Sequence, residues 1–252
     1  YKTRGELSFS ESAMHASGVS AEILGGAASI DMQKVKNGAI RATVKGHSRV
    51  DVLRRLYPHP ALNYLHGSTA WNADVVVAKK MAEVDIRSDL QGLGSSLPQP
   101  FAKPAGKAMP LHVNKRNISA KQDLITVQFG SLLNAQMERR DKKGEMVIKR
   151  GIVEFGVKSK LAVAGKAKTS ASRAKLPAMS FRSKSGIWLA GTLPEVSIEG
   201  WDRLIKGTAK ASPALDIAGV NLRIKKLTGY GKIIEWLKVD SARRADGLAL
   251  QF

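Results

Sequence analysis

Ile125-Thr126-Val127-Gln128-Phe129-Gly130-Ser131-Leu132-Leu133-Asn134-Ala135-Gln136-Met137 alternates apolar and polar side chains. Ile125, Val127, Phe129, Leu133, Ala135 and Met137 fall on one face, and Thr126, Gln128, Asn134 and Gln136 on the other. Successive side chains of a strand point to opposite sides, so the pattern predicts one half-buried strand of unusual length over 125–137. The same period recurs outward from it. Ile40, Ala42 and Val44 carry it, as do Trp71, Ala73, Val75 and Val77, then Val84 and Ile86. Val153, Phe155 and Val157 follow, then Ile187 and Leu189, then Val220, Leu222 and Ile224. Gly25-Gly26, Asn37-Gly38, Lys143-Gly144 and Tyr230-Gly231 punctuate these runs. Asn37-Gly38 suits a type I′ hairpin, whose two central positions need positive φ.

The expected fold class is therefore mainly β, a long antiparallel meander with a few short helices. Ser48 and Asp51 resemble a capping box ahead of Val50, Leu53 and Leu56, and Pro58 stops that helix. Pro60 opens a second helical turn with Gly67 as its end, and Trp201 to Ile205 suggests a third helix. Single-face strands must close their apolar side, and a sandwich, a barrel and a curled trough or groove all do so. Residues 94–110 hold Pro98, Pro100, Pro104 and Pro110, a composition that cannot pair in a central strand. The chain lacks an initial Met and ends on alternating Leu250-Gln251-Phe252. It reads as residues 1–252 of a larger protein, with a weak sub-boundary near 117–123.

Charge narrows the class of partner. The formal net charge is +20, residues 155–194 and 90–122 contain no Asp or Glu, and the 158–185 stretch is rich in Lys, Ser and Ala. Such a field attracts polyanions, be they nucleic acid, anionic lipid headgroups or lipopolysaccharide; a plain solvated basic surface accounts for it equally well. Single-strand binders interleave basic residues with aromatics on which bases stack. Here aromatics make up 6% of the chain and 158–176 contains none, so no nucleic-acid partner is expected. No run of about 18 apolar residues is present, so any membrane anchor is expected outside this segment.

Catalytic patterns are missing too. There is no cysteine, which removes thiolate metal sites and cysteine nucleophiles. The five histidines, His15, His47, His59, His66 and His112, lack the spacing of a zinc site. Ser172-Arg173-Ala174-Lys175 matches an acyl-transfer spacing without its partner motifs. The expectation is a non-enzyme with no metal and no cofactor.

One block is more specific. Residues 86–111 end a strand in Ser88-Asp89-Leu90, continue through Gly92-Leu93, then Leu97-Pro98, Pro100-Phe101, Lys103-Pro104 and Gly106, and close on Pro110-Leu111. Tyr64, Leu65, Gly67, Thr69 and Trp71 lead into it, and Gly186-Ile187-Trp188-Leu189-Ala190-Gly191-Thr192-Leu193-Pro194 and Trp201 follow. This block resembles the signature of large YhdP-type AsmA-like envelope proteins of bacteria. The resemblance implies a periplasmic segment of a protein anchored in the inner membrane, implicated in moving phospholipid between the inner and outer membranes and so in outer-membrane homeostasis. It implies β-sheets curled into a long apolar trough, similar to bridge-type lipid-transfer proteins, and it carries over no catalytic residues.

On that footing the residues expected to line an acyl-chain corridor are Val75, Val77, Val84, Ile86, Ile125, Val127, Phe129 and Leu133. Each CH₂ buried there is worth about 0.8 kcal/mol, so two chains are held without specific polar contacts. Anionic headgroups would stay at the basic surface. Two alternatives remain open from the residues alone: an ordinary sealed β core serving as an envelope scaffold or assembly domain, and a basic nucleic-acid-binding module.

Overall fold

The structure, a computed structural model, describes residues 4–9, 14–35, 38–79, 81–156, 181, 185–208, 216–244 and 247–251. Alternating runs become strands and turn signals become hairpins. In chain order these are β1 (Arg4–Phe9), β2 (Met14–Ile23), β3 (Gly26–Lys34), β4 (Ile40–Arg49), α1 (Val50–Leu56), a 3-10 turn (Pro60–Tyr64), β5 (Leu65–Ala78), β6 (Met81–Ser88) and β7 (Leu93–Ser95). There follow β8 (Leu111–Ser119), β9 (Gln122–Phe129), β10 (Leu133–Lys142), β11 (Glu145–Phe155), β12 (Gly186–Leu193) and β13 (Val196–Ser197). The chain closes with α2 (Ile198–Thr208), β14 (Ile217–Gly229), β15 (Lys232–Arg244) and β16 (Gly247–Gln251).

All strands belong to one mainly β assembly. Its hydrogen-bonded path runs β1-β2-β3-β4-β5-β6-β8-β9-β10-β11-β12-β14-β15-β16, with β7 beside β5 and β13 beside β14. The two end strands do not pair with each other, so the sheet is open. From β1 to β11 every pairing is antiparallel, as a meander requires. The expected meander stops there. β11 pairs β12 in parallel, and β12 pairs β14 in parallel. A two-residue hairpin joins only antiparallel strands, so the meander pattern does not extend to these pairs.

The 125–137 stretch is two strands, not one. Leu132 N donates to Phe129 O at 3.0 Å, Gly130 takes φ +52°, and Phe129 pairs directly with Leu133 across the turn. Residues 117–123 likewise form the β8–β9 hairpin, where Ser119 pairs Gln122.

Two helix-end expectations also change. Arg49, not Ser48, precedes α1, and no side chain caps it. The Ser48 hydroxyl instead accepts from Trp71 Nε1 at 2.6 Å, and Asp51 is held by Arg49. The 3-10 turn ends at Tyr64, with His59 Nδ1 accepting from Ala61 N at its start. Gly67 lies inside β5 with φ +88°. A Cβ there would fall 2.2 Å from Gly92 O, so glycine lets β5 touch the signature loop. The third expected helix is α2, longer than its sequence signal. Asn37 lies outside the described residues, and so does 158–185 apart from Phe181 and Ser185.

A buried apolar cluster forms at β3–β5. Ala28, Val44 and Ala73 are buried together, with Ile23, Ile30, Trp71 and Ile86 against them. Trp71 lies across β4 at Gly46, where a Cβ would meet the indole at 2.4 Å. A large ring over a bare backbone is how a single-layer sheet buries area on one face without a facing layer.

Candidate functional site

Strand register brings the predicted apolar residues together. One row runs Ile30–Val44–Ala73–Ile86–Val113–Val127–Ala135–Val153–Leu189–Val220, each directly paired with the next. It crosses ten strands, from β3 to β14; at about 4.8 Å per strand its length is about 43 Å. A second row, Met32–Ala42–Val75–Val84, passes through Lys115 to Ile125 and Met137. A third holds Leu111, Phe129, Leu133 and Phe155. Val77 lies one step beyond the second row, paired with Ile40 and Ala82.

All eight predicted residues therefore share one face. Val75, Val84, Ile86, Ile125, Val127, Phe129 and Leu133 are half-buried, and Val77 is 41% exposed. In the first row Val44, Ala73 and Ala135 are buried and the other seven residues half-buried.

The band is closed along one margin by the proline-rich block. Phe101 stacks on Phe129 with ring centroids 6.4 Å apart, and Trp201 of α2 meets Phe101 edge-on at 5.7 Å. Trp201 Nε1 donates to Gln99 O at 2.9 Å, and Gly200 leaves room for Pro98. The peptide bond between Gln99 and Pro100 is cis. Lys103, only 3% exposed, organises the loop from inside. Its ammonium donates to Leu90 O at 2.7 Å, Leu93 O at 2.6 Å and Pro104 O at 3.2 Å. Burial pushes its pKa down from the ordinary lysine value. Asp89 Oδ1 accepts from Gln91 N at 3.0 Å where the strand turns. The signature residues thus build a rim, with nothing arranged around a reacting atom.

At the opposite margin polar groups interrupt the second row. Lys115 Nζ donates to Ala82 O at 2.8 Å and to Asn117 Oδ1 at 3.1 Å. Asp123, its side chain 4% exposed, receives Arg139 bidentately at 2.9 and 2.7 Å. That hydrogen bond raises the Arg139 pKa further.

The reverse face of β6–β11 departs from the simple inside–outside expectation. Thr126, Gln128, Asn134 and Gln136, the polar half of the opening stretch, are all buried, as are Asp85, His112 and Glu138. In β3–β5 the polar face is exposed at Ser29, Lys45, Asn72 and Asp74, so the inversion is local. Asp85 binds His112 Nε2 at 2.7 Å, Arg87 at 3.0 Å and Asn114 at 3.1 Å. Burial opposes its charge, but these partners hold its carboxyl below the ordinary range. Glu138 is clamped by Lys149 at 3.0 Å and Arg150 at 2.6 Å. Arg150 in turn lies under the Phe181 ring, 4.4 Å from its centroid. Asp85 and His112 stand 27 residues apart, and no sequence signal joins them.

Among the described residues no cluster of three or more His, Asp or Glu could hold a metal ion. No described helix is long and apolar enough to cross a membrane. A shallow pocket of about 270 Å³ lies on the polar face between Glu154, Thr192, Asn221 and Arg223. No curated protein and no solved structure matches the chain. The sequence model of the YhdP protein family matches residues 1–252 from end to end, and the chain belongs to that family.

Proposed function

We propose that this chain is a non-catalytic, lipid-handling segment, whose apolar face carries phospholipid acyl chains within the periplasmic part of an inner-membrane-anchored protein. Membership of the YhdP family is consistent with an envelope lipid-transport protein. The observation that carries the reading is the register-aligned apolar row from Ile30 to Val220 on an open sheet, half-buried at Ile86, Val113, Val127 and Val153. Acyl chains laid side by side along it gain hydrophobic contact at successive strands. At about 0.8 kcal/mol per CH₂, a dozen buried methylenes contribute about 10 kcal/mol, comparable with the cost of association. Because successive strands of the row present apolar side chains alike, affinity changes little with position along it, which is what passage along a conduit demands. Val75, Val77, Val84, Ile86, Ile125, Val127, Phe129 and Leu133 line it in this reading.

Delipidated protein incubated with phospholipid vesicles and re-isolated tests this. Uptake of phospholipid is expected, and Val84→Asp with Val127→Asp should abolish it while far-ultraviolet circular dichroism stays unchanged. Wild-type protein that takes up none would leave the sealed envelope scaffold as the better reading.

A further inference from the structure

The two margins of the apolar band differ in chemistry. One is covered: Phe101, Phe129 and Trp201 close it with packed rings, and Met109 adjoins Gly130 there. The other is formed by consecutive hairpin tips, where Lys34 pairs Ile40, Ala78 pairs Met81, Ser119 pairs Gln122 and Lys142 pairs Glu145. At these tips apolar side chains stay uncovered: Ile40 is 37% exposed, Val77 41%, Ile118 52%, Met146 38% and Ile148 41%. Lys79, Arg116, Lys121, Arg140, Lys142 and Lys143 stand exposed among them. None of these six forms an ion pair with a described residue. The acids nearby are largely committed. Asp123 is held by Arg139 and Glu138 by Lys149 and Arg150, and Asp141 Oδ1 accepts from Gly144 N. Glu83 and Glu145 remain.

We propose that the band takes phosphate-bearing, acyl-chained lipid in one polarity, with phosphate at the hairpin-tip rim and acyl ends toward the Phe101–Trp201 closure. This rests on the lipid-handling function proposed above and adds a direction to it. Two features support it together. The open margin is where an amphiphile can enter, and it is also where unpaired cations stand. The apolar depth fits as well: Ile125 to Phe129 is four strand steps, about 14 Å, against about 15 Å of hydrocarbon in one leaflet. A lipid reversed in the band would bury its phosphate among three aromatic rings and leave its tails beside lysines.

Photo-crosslinking of the full segment with two phosphatidylglycerol probes tests the polarity, one carrying a diazirine beside the headgroup and the other at the acyl terminus. The headgroup probe should label peptides spanning the β5–β6, β8–β9 and β10–β11 tips, and the acyl-end probe those spanning 97–111 and Phe129. Changing Lys121, Lys142 and Lys143 together to Glu should cut headgroup labelling at the tips by about fivefold or more, with acyl-end labelling of the loop retained. Exchanged or indiscriminate labelling would overturn the polarity while leaving lipid binding intact. No labelling by either probe would overturn both.

Discussion

The Phe101 ring lies nearly parallel to the Phe129 ring, 13° apart in plane with centroids separated by 6.4 Å. That contact joins the backbone bonds of Gly92 and Pro110 in tying the proline-rich block to the sheet, and Trp201 locks it from α2. Phe101→Ala should therefore loosen loop and helix together. The expected cost is about 3 kcal/mol, from lost ring area and the lost aromatic pair. Chemical denaturation checks this; a change below about 0.5 kcal/mol would show that the loop is held by other means.

Lys103 makes the corresponding prediction from inside the loop. Three carbonyls share its ammonium, and Lys103→Met keeps the stem while taking that charged donor from all three, with Leu90 O and Pro104 O keeping only the amides of Leu93 and Lys107. A loss of about 2–3 kcal/mol follows for buried acceptors deprived of a charged donor. Hydrogen exchange should rise locally at Gly92 and Ser95, whose amides donate to Ala105 O and Lys103 O. Unchanged exchange there would contradict the role given to Lys103.

Acid should weaken the reverse face through Glu138. Burial alone would raise its carboxyl pKa, but hydrogen bonds from Arg150 and Lys149 prevail and hold it below the ordinary value. A depressed folded pKa stabilises above the unfolded value, about 4.3 for Glu, and that contribution is lost as pH falls through the folded pKa. Wild-type stability should thus decline below about pH 4. Glu138→Gln should be less stable at neutral pH and flatter below it, as urea midpoints across the pH range would reveal. A parallel acid limb in both proteins would remove Glu138 from the account.

Much of this was legible in the residues, for identifiable reasons. Alternation placed Val75, Val84, Ile86, Ile125, Val127, Phe129 and Leu133 on one face because side-chain direction in a strand depends only on parity. The same fact hid the turn at Gly130. Phe129 and Leu133 are four residues apart and pair directly, so a hairpin there leaves the alternation in phase and indistinguishable from one long strand. Parallel pairing of β11, β12 and β14 was not legible, because alternation is blind to strand direction. Nor was the burial of Thr126, Gln128, Asn134 and Gln136. Polar residues on an alternating strand signal solvent only when nothing packs on them, and that depends on partners distant in sequence. The Lys103 ammonium was likewise invisible: a lysine between Pro100 and Pro104 reads as surface charge until the carbonyls of Leu90 and Leu93 are brought around it.

The most direct test is native mass spectrometry, with lipid extraction, of the segment purified from a bacterium. The account predicts copurifying phospholipid that disappears when Val127 and Phe129 are both changed to Asp with the fold intact. Wild-type protein that emerges lipid-free and gains no mass from added phospholipid would contradict it.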